Sequence, residues 1–169
     1  MKKLKNGIIA IAFVLVATSF VNAQSKVAHI DVSALLAEMP EMIAAQAELK
    51  KLSETYRVDI ESSMTELKNK YTQYSNEASA MSEEENQKRA LELQGFEKNI
   101  GEAQQAAQME MAKKQQELFQ PITEKAKSAI EKVAADQGYD YVIDATPGEG
   151  VIVAKGKDLL AEVKQELGF

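Results

Sequence analysis

From Glu41 to Ala80 the chain runs for forty residues without a glycine or a proline, and apolar side chains recur at three- and four-residue steps. Leu49, Leu52, Tyr56, Ile60, Met64, Leu67, Tyr71, Tyr74, Ala78 and Met81 form the expected seam. Such spacing puts one stripe on one side of a helix and calls for a partner helix along its length. At 1.5 Å per residue the helix is about 60 Å long. A compact domain of this chain's size cannot enclose it. It must project as an arm.

The partner lies next in the sequence. Ser82 is a good N-cap, and Glu85 stands three residues on, where a capping box places its carboxylate. Leu93, Phe96, Ile100, Ala103, Ala107, Met111, Leu118 and Ile122 make the returning stripe. Two amphipathic segments joined by a short polar link pack antiparallel, so 41–120 is read as one helical hairpin. Both stripes depart from a strict heptad: Tyr56 to Leu67 and Ala107 to Leu118 each take eleven residues. Departures of this kind locally unwind a left-handed supercoil. With the turn near residue 84 the two irregular stretches lie side by side, and Gly95 and Gly101 weaken the returning helix further. The arm is expected to bend there.

The remaining segments form a small body, 24–40 together with 121–169. Lys26 to Val32 alternates, with Ala28, Ile30 and Val32 on one face, and is read as a strand. Ser33 is placed as the cap of a brief helix over 34–38, with Pro40 as the break before the arm. Pro121 removes a backbone donor and is read as a hinge between the arm and a separate helix ending at Gly138. Tyr139 to Ala145 and Val151 to Ala154 are expected strands, joined by the turn Pro147-Gly148-Glu149-Gly150. Asp158 is expected to cap a last helix bearing Leu159, Leu160, Val163 and Leu167. A core of 66 residues is marginal alone. Association is the available remedy, through β segments with open edges. Ile30, Val32, Val142, Ile143, Val151 and Val153 are the candidate contacts between chains.

The composition narrows the chemistry. Met1 to Lys5 is cationic, Gly7 to Val21 is uncharged, and Val21 and Ala23 suit the small positions before a signal-peptidase cut. Residues 1–23 are therefore read as a cleaved leader, and the protein as exported. Beyond residue 23 there are 17 basic residues against 26 acidic ones. An acidic chain without a basic stripe is a poor nucleic-acid binder. With no cysteine in the sequence there is neither a disulfide framework nor a thiolate metal site. His29 is the one histidine and sits in an alternating strand as a structural residue. Gly150 to Asp158 misses the phosphate-loop spacing and its Ser/Thr. No catalytic residue, metal site or cofactor site is expected.

The leader, the short strand, the proline and the long hairpin come together with a distinctive run from Pro121 to Asp144. That run contains Pro121-Ile122, Ala129-Ile130, Val133-Ala134 and Gly138-Tyr139-Asp140-Tyr141-Val142-Ile143-Asp144. Joined to Val27-Ala28-His29-Ile30-Asp31, this layout resembles the Skp (OmpH) family of periplasmic chaperones over the whole chain after the leader. The resemblance implies a mainly α fold with a small β body and projecting coiled-coil arms, assembled as a homotrimer. It also implies an ATP-independent holdase that keeps unfolded outer-membrane β-barrel proteins in a cavity between the arms. The better-known members have cationic arms, whereas 41–120 here carries ten basic and fifteen acidic residues. A lipopolysaccharide site is therefore not carried over. Val58 and Met109, off the seam, and Tyr56, Tyr74 and Phe96, large enough to show an edge, are the candidate client contacts. The competing reading is an envelope adaptor whose hairpin docks one folded partner.

Overall fold

The computed structural model describes residues 25–169; the expected leader lies outside them. Three strands, β1 (Val27–Ile30), β2 (Tyr141–Asp144) and β3 (Lys157–Asp158), form a sheet of order β2-β1-β3. Both pairings are parallel: Val27 stands beside Tyr141, and His29 between Ile143 and Asp158. Around the sheet lie α1 (Val32–Glu38), the start of α2 (Pro40–Glu77), the end of α3 (Glu83–Asp136) and α4 (Leu160–Leu167). Strand alternation turns Ala28 and Ile30 inward, where they meet Leu35, Met39, Ala126, Ala129, Val133, Leu159 and Val163 in one core. Met42 and Ala45 at the base of the arm belong to the same core, so arm and body are continuous in packing.

The local signals act largely as the sequence states them. Pro40 is the first residue of α2, where its missing N–H costs no helical bond. Ser82 Oγ accepts from the Glu85 N–H at 3.2 Å, closing half of the capping box. Glu85 spends its own carboxylate on Arg89 instead, at 3.4 Å. Gly138 takes φ +68° after α3. Its N–H reaches the Ala135 carbonyl and that of Tyr139 the Ala134 carbonyl, which together make a Schellman stop.

Several expectations need correction. The first short helix is capped by Asp31, whose side chain accepts from the Ala34 N–H at 2.8 Å, so Val32 opens the helix instead of closing the strand. The Ser33 N–H donates to Thr146 Oγ1, tying this helix to the segment after β2. Pro121 does not divide two helices: α3 runs unbroken through it to Asp136. The proline sits on the exposed side, while Ile122, Ala126, Ala129 and Val133 bury the other, and that packing outweighs the bond lost at one turn. Val151 to Ala154 forms no strand; the third strand is Lys157–Asp158, on the far edge of β1. Last, Met64 and Tyr71 leave the seam and stand exposed, and Ser63 and Lys70 take their places.

The arm pairs α2 with the facing part of α3. At 1.5 Å per residue these helices are about 57 and 81 Å long. They are joined at the tip by the 3₁₀ turn Ala78–Ala80. Space for a Cβ is open at both Gly95 and Gly101. Replacing both with alanine should stabilise the hairpin by about 0.5–1 kcal/mol per site, since only backbone entropy changes. Urea unfolding followed by circular dichroism checks this, and unchanged or lowered midpoints would contradict it.

Candidate functional site

The seam of the arm is built from Tyr56, Ile60 and Leu67 on α2 and from Leu93, Phe96, Ile100, Ala107 and Met111 on α3, all half-buried or buried. The expected side-by-side position of the two irregular stretches is seen directly. Tyr56 and Ile60 share a groove of about 500 Å³ with Ala107 and Met111. A second groove of about 280 Å³ opens beside Ile60, Ile100, Ala103 and Ala107. Ser63, Ala103, Ala106, Ala107 and Ala112 are too small to fill the space between two helices. The middle of the arm is therefore loosely packed.

The end nearer the tip is held differently. Lys70 Nζ pairs with Glu92 at 2.8 Å and lies 5.0 Å from the centre of the Phe96 ring. The Tyr74 hydroxyl donates to the other oxygen of Glu92 at 2.8 Å. Arg89 stacks 4.6 Å from the Tyr74 ring and bonds Glu77 at 2.9 Å. Lys70 can occupy a seam position because its stem covers apolar surface while its ammonium reaches a carboxylate. Lys70 first, and then Tyr74, hold the Glu92 carboxyl below its ordinary value. Bonds from Gln73, then Arg89, do the same for Glu77. Lowered carboxyl values favour the folded arm above the ordinary carboxylate range, and that contribution is lost as pH falls through the folded values. The base has one such carboxyl too, Glu41 beside Lys125, but it also has the core around Met42 and Ala45, so hydrogen-exchange protection near the tip should fall before that at the base as pH drops below 4.5. Parallel loss at both ends would refute it.

Of the five arm residues singled out from sequence, Tyr74 and Phe96 are engaged in this cluster, and Tyr56 lies half-buried between the two central grooves. Val58 and Met109 are 49% and 67% exposed. Val58 is bordered by Glu61, Ser62 and Thr65 of its own helix, so the two are not brought together across the seam. Met64 and Tyr71, assigned to the seam from their spacing, are 53% and 63% exposed and border a groove with Leu67 and Ile100. Strict 3-4-3-4 counting from Ile60 through Ser63, Leu67, Lys70 and Tyr74 identifies them as outward residues, at the cost of accepting two polar seam positions.

In the body, Ile30 is enclosed by the chain's own core and Val142 packs against it. Val27, Tyr141 and Ile143 are turned to the other face of the sheet and remain exposed. Among the described residues, these three lie outside the core. Beside it a groove of about 490 Å³ is lined by Ala126, Ile130, Ala134, Tyr139, Tyr141 and Val142. Val153 is exposed and Val151 half-buried, in the segment between β2 and β3. Val32 packs on the rim of the core. Among the described residues, no three His, Asp or Glu side chains converge as a metal site, and no helix is long and apolar enough to cross a membrane.

Comparison with known proteins gives consistent results. Residues 26–167 match the profile of the family described as Outer membrane protein (OmpH-like). The chain is 24% identical to Chaperone protein Skp of Pectobacterium atrosepticum over 157 residues, 93% of this chain and 94% of that protein. It is also 24% identical to Chaperone protein Skp of Photorhabdus luminescens, over 94% of this chain and 93% of the other. The fold matches the crystal structure of an OmpH-like outer membrane chaperone of Caulobacter crescentus with TM-score 0.76. That match has 18% identity and covers 86% of this chain and 85% of that one.

Proposed function

Because the chain belongs to the OmpH-like family, a family of chaperones and not of enzymes, we propose that it is an ATP-independent holdase for unfolded outer-membrane β-barrel proteins. The observation that carries this reading is the arm: two helices run far beyond the body and leave Val58, Met64, Tyr71 and Met109 uncovered. Methionine and aromatic side chains adapt to many apolar surfaces and suit weak, repeated contacts with a disordered chain. A client that has folded no longer offers that surface, so release needs no nucleotide.

The same reading places the protein in the periplasm, with residues 1–23 as its cleaved leader. It also makes the working form a homotrimer, with Val27, Tyr141 and Ile143 covered by neighbouring chains. Pro121, inside α3 where arm meets body, serves as the hinge that lets the arms adjust to clients of different size. Tyr56, Val58, Tyr74, Phe96 and Met109 are assigned to the client surface, and Met64 and Tyr71 join them on their exposure. Acidic arms make lipopolysaccharide an unsuitable ligand.

The decisive experiment dilutes several unrelated urea-unfolded β-barrel proteins into buffer and follows light scattering. Suppression of aggregation at near-stoichiometric protein, without ATP, is the expected result. Suppression that requires ATP, or capture of a single folded partner only, would refute the proposal.

A further inference from the structure

Along one side of the arm, cross-helix ion pairs form a ladder. Glu41 meets Lys125, Glu48 meets Lys114 at 2.8 Å, and Lys70 meets Glu92 at 2.8 Å. On α2 the rungs recur at seven- or eleven-residue multiples, which return to the same helix face. Asp59 stands on that stripe, eleven residues after Glu48 and eleven before Lys70. Here the ladder changes character. Asp59 of α2 has no lysine across from it, and it and Glu110 of α3 both border the groove of about 280 Å³. Among the described residues neither carboxylate has an ion pair. The cations one turn from Glu110 are already engaged, Lys114 with Glu48 and Lys113 with Glu117.

We infer that this gap is a binding pocket for a lysine or arginine side chain of an unfolded client, its charged end between Asp59 and Glu110. Ile60, Ile100, Ala103 and Ala107 line the groove, and an aliphatic stem lies well on such a surface while its cation stays at the rim. Two unpaired carboxylates on the rim of one groove repel, and an entering cation removes that repulsion as well as adding attraction. The occupant is a polypeptide side chain and not a free ion, because the apolar lining rewards carbon. The assignment rests on the chaperone reading for the source of that chain, and makes the surplus negative charge of the arms a means of selecting clients.

The test uses the full-length protein and two labelled peptides, one alternating leucine with lysine and one alternating leucine with glutamate. Fluorescence anisotropy should show the lysine peptide binding at least tenfold more tightly. The double substitution Asp59→Asn with Glu110→Gln should remove most of that preference and leave the glutamate peptide unchanged. Ala106→Lys, which places a tethered ammonium in the same groove, should do likewise, and circular dichroism verifies that both variants keep their helices. Equal affinity for both peptides, or an undiminished preference in both variants, would overturn the pocket. So would spermidine competing at the lysine peptide's own concentration, since the apolar lining would then contribute nothing. Suppression of barrel aggregation is measured in parallel. A protein that binds the lysine peptide but holds no barrel refutes the holdase and leaves the pocket standing.

Discussion

Ile143→Asp should dissociate the proposed trimer into chains that keep their helices. Ile143 stands on the bare face of the sheet, 46% exposed, next to His29 in register and clear of the chain's own core. Its replacement therefore removes nothing from that core. Parallel sheets occur almost only with both faces covered. Here one face packs on helices and the other presents Val27, Tyr141 and Ile143. If neighbouring chains cover that face, the aspartate is buried without a partner, at a cost of several kcal/mol. Each 1.4 kcal/mol is tenfold in an association constant, so assembly should weaken by about a hundredfold or more. Sedimentation velocity at micromolar concentration reads this directly. A trimer that survives the substitution would place the interface elsewhere, and a wild-type monomer would remove the trimer altogether.

The second large effect is expected from Val58→Ser combined with Met109→Ser. Both side chains point away from the partner helix and are well exposed, so the change leaves the seam intact. Partial burial of each against a client contributes about 1 kcal/mol by the area rule. Losing both should weaken client holding by about tenfold to thirtyfold, with helicity and trimer content unchanged. Light scattering with an unfolded barrel protein, alongside circular dichroism and sedimentation, checks it. Unchanged holding would move the client surface to Met64 and Tyr71.

The long-range plan of the chain was legible because it is written in local signals. The glycine-free run, the Ser82 cap, Pro40 and Gly138 each act within one or two turns, and all four act as read. The misreadings share a different cause. Asp31 and Ser33 are both good caps; Asp31 takes the role, and the Ser33 N–H, inside the first turn, is met by Thr146, more than a hundred residues away. Lys70 holds a seam position only because Glu92 and Phe96 stand across from it on the other helix. Val151 to Ala154 has strand-like composition but pairs with nothing, while Lys157-Asp158 pairs with β1 despite its charge. Of the candidate site, exposure at Val58 and Met109 followed from periodicity. The groove that Asp59 and Glu110 both border did not, since only the register between the helices places them on it.

The sheet's connectivity has a consequence for how the chain reaches its structure. β1 and β2 are neighbours, yet the Lys26 N–H bonds Asp140 across 114 positions of sequence. Closing so long a loop in one step is slow, because its entropy must be surrendered before any contact compensates. The arm supplies a shorter route. Its tip needs only residues close in sequence, and each pair of turns added behind it brings the two ends nearer, until Met42 lies beside the segment that carries Ile122. By then the remaining gap is a few residues on either side. On this route the arm acts as a zipper that joins the two halves of the body, and the sheet closes last.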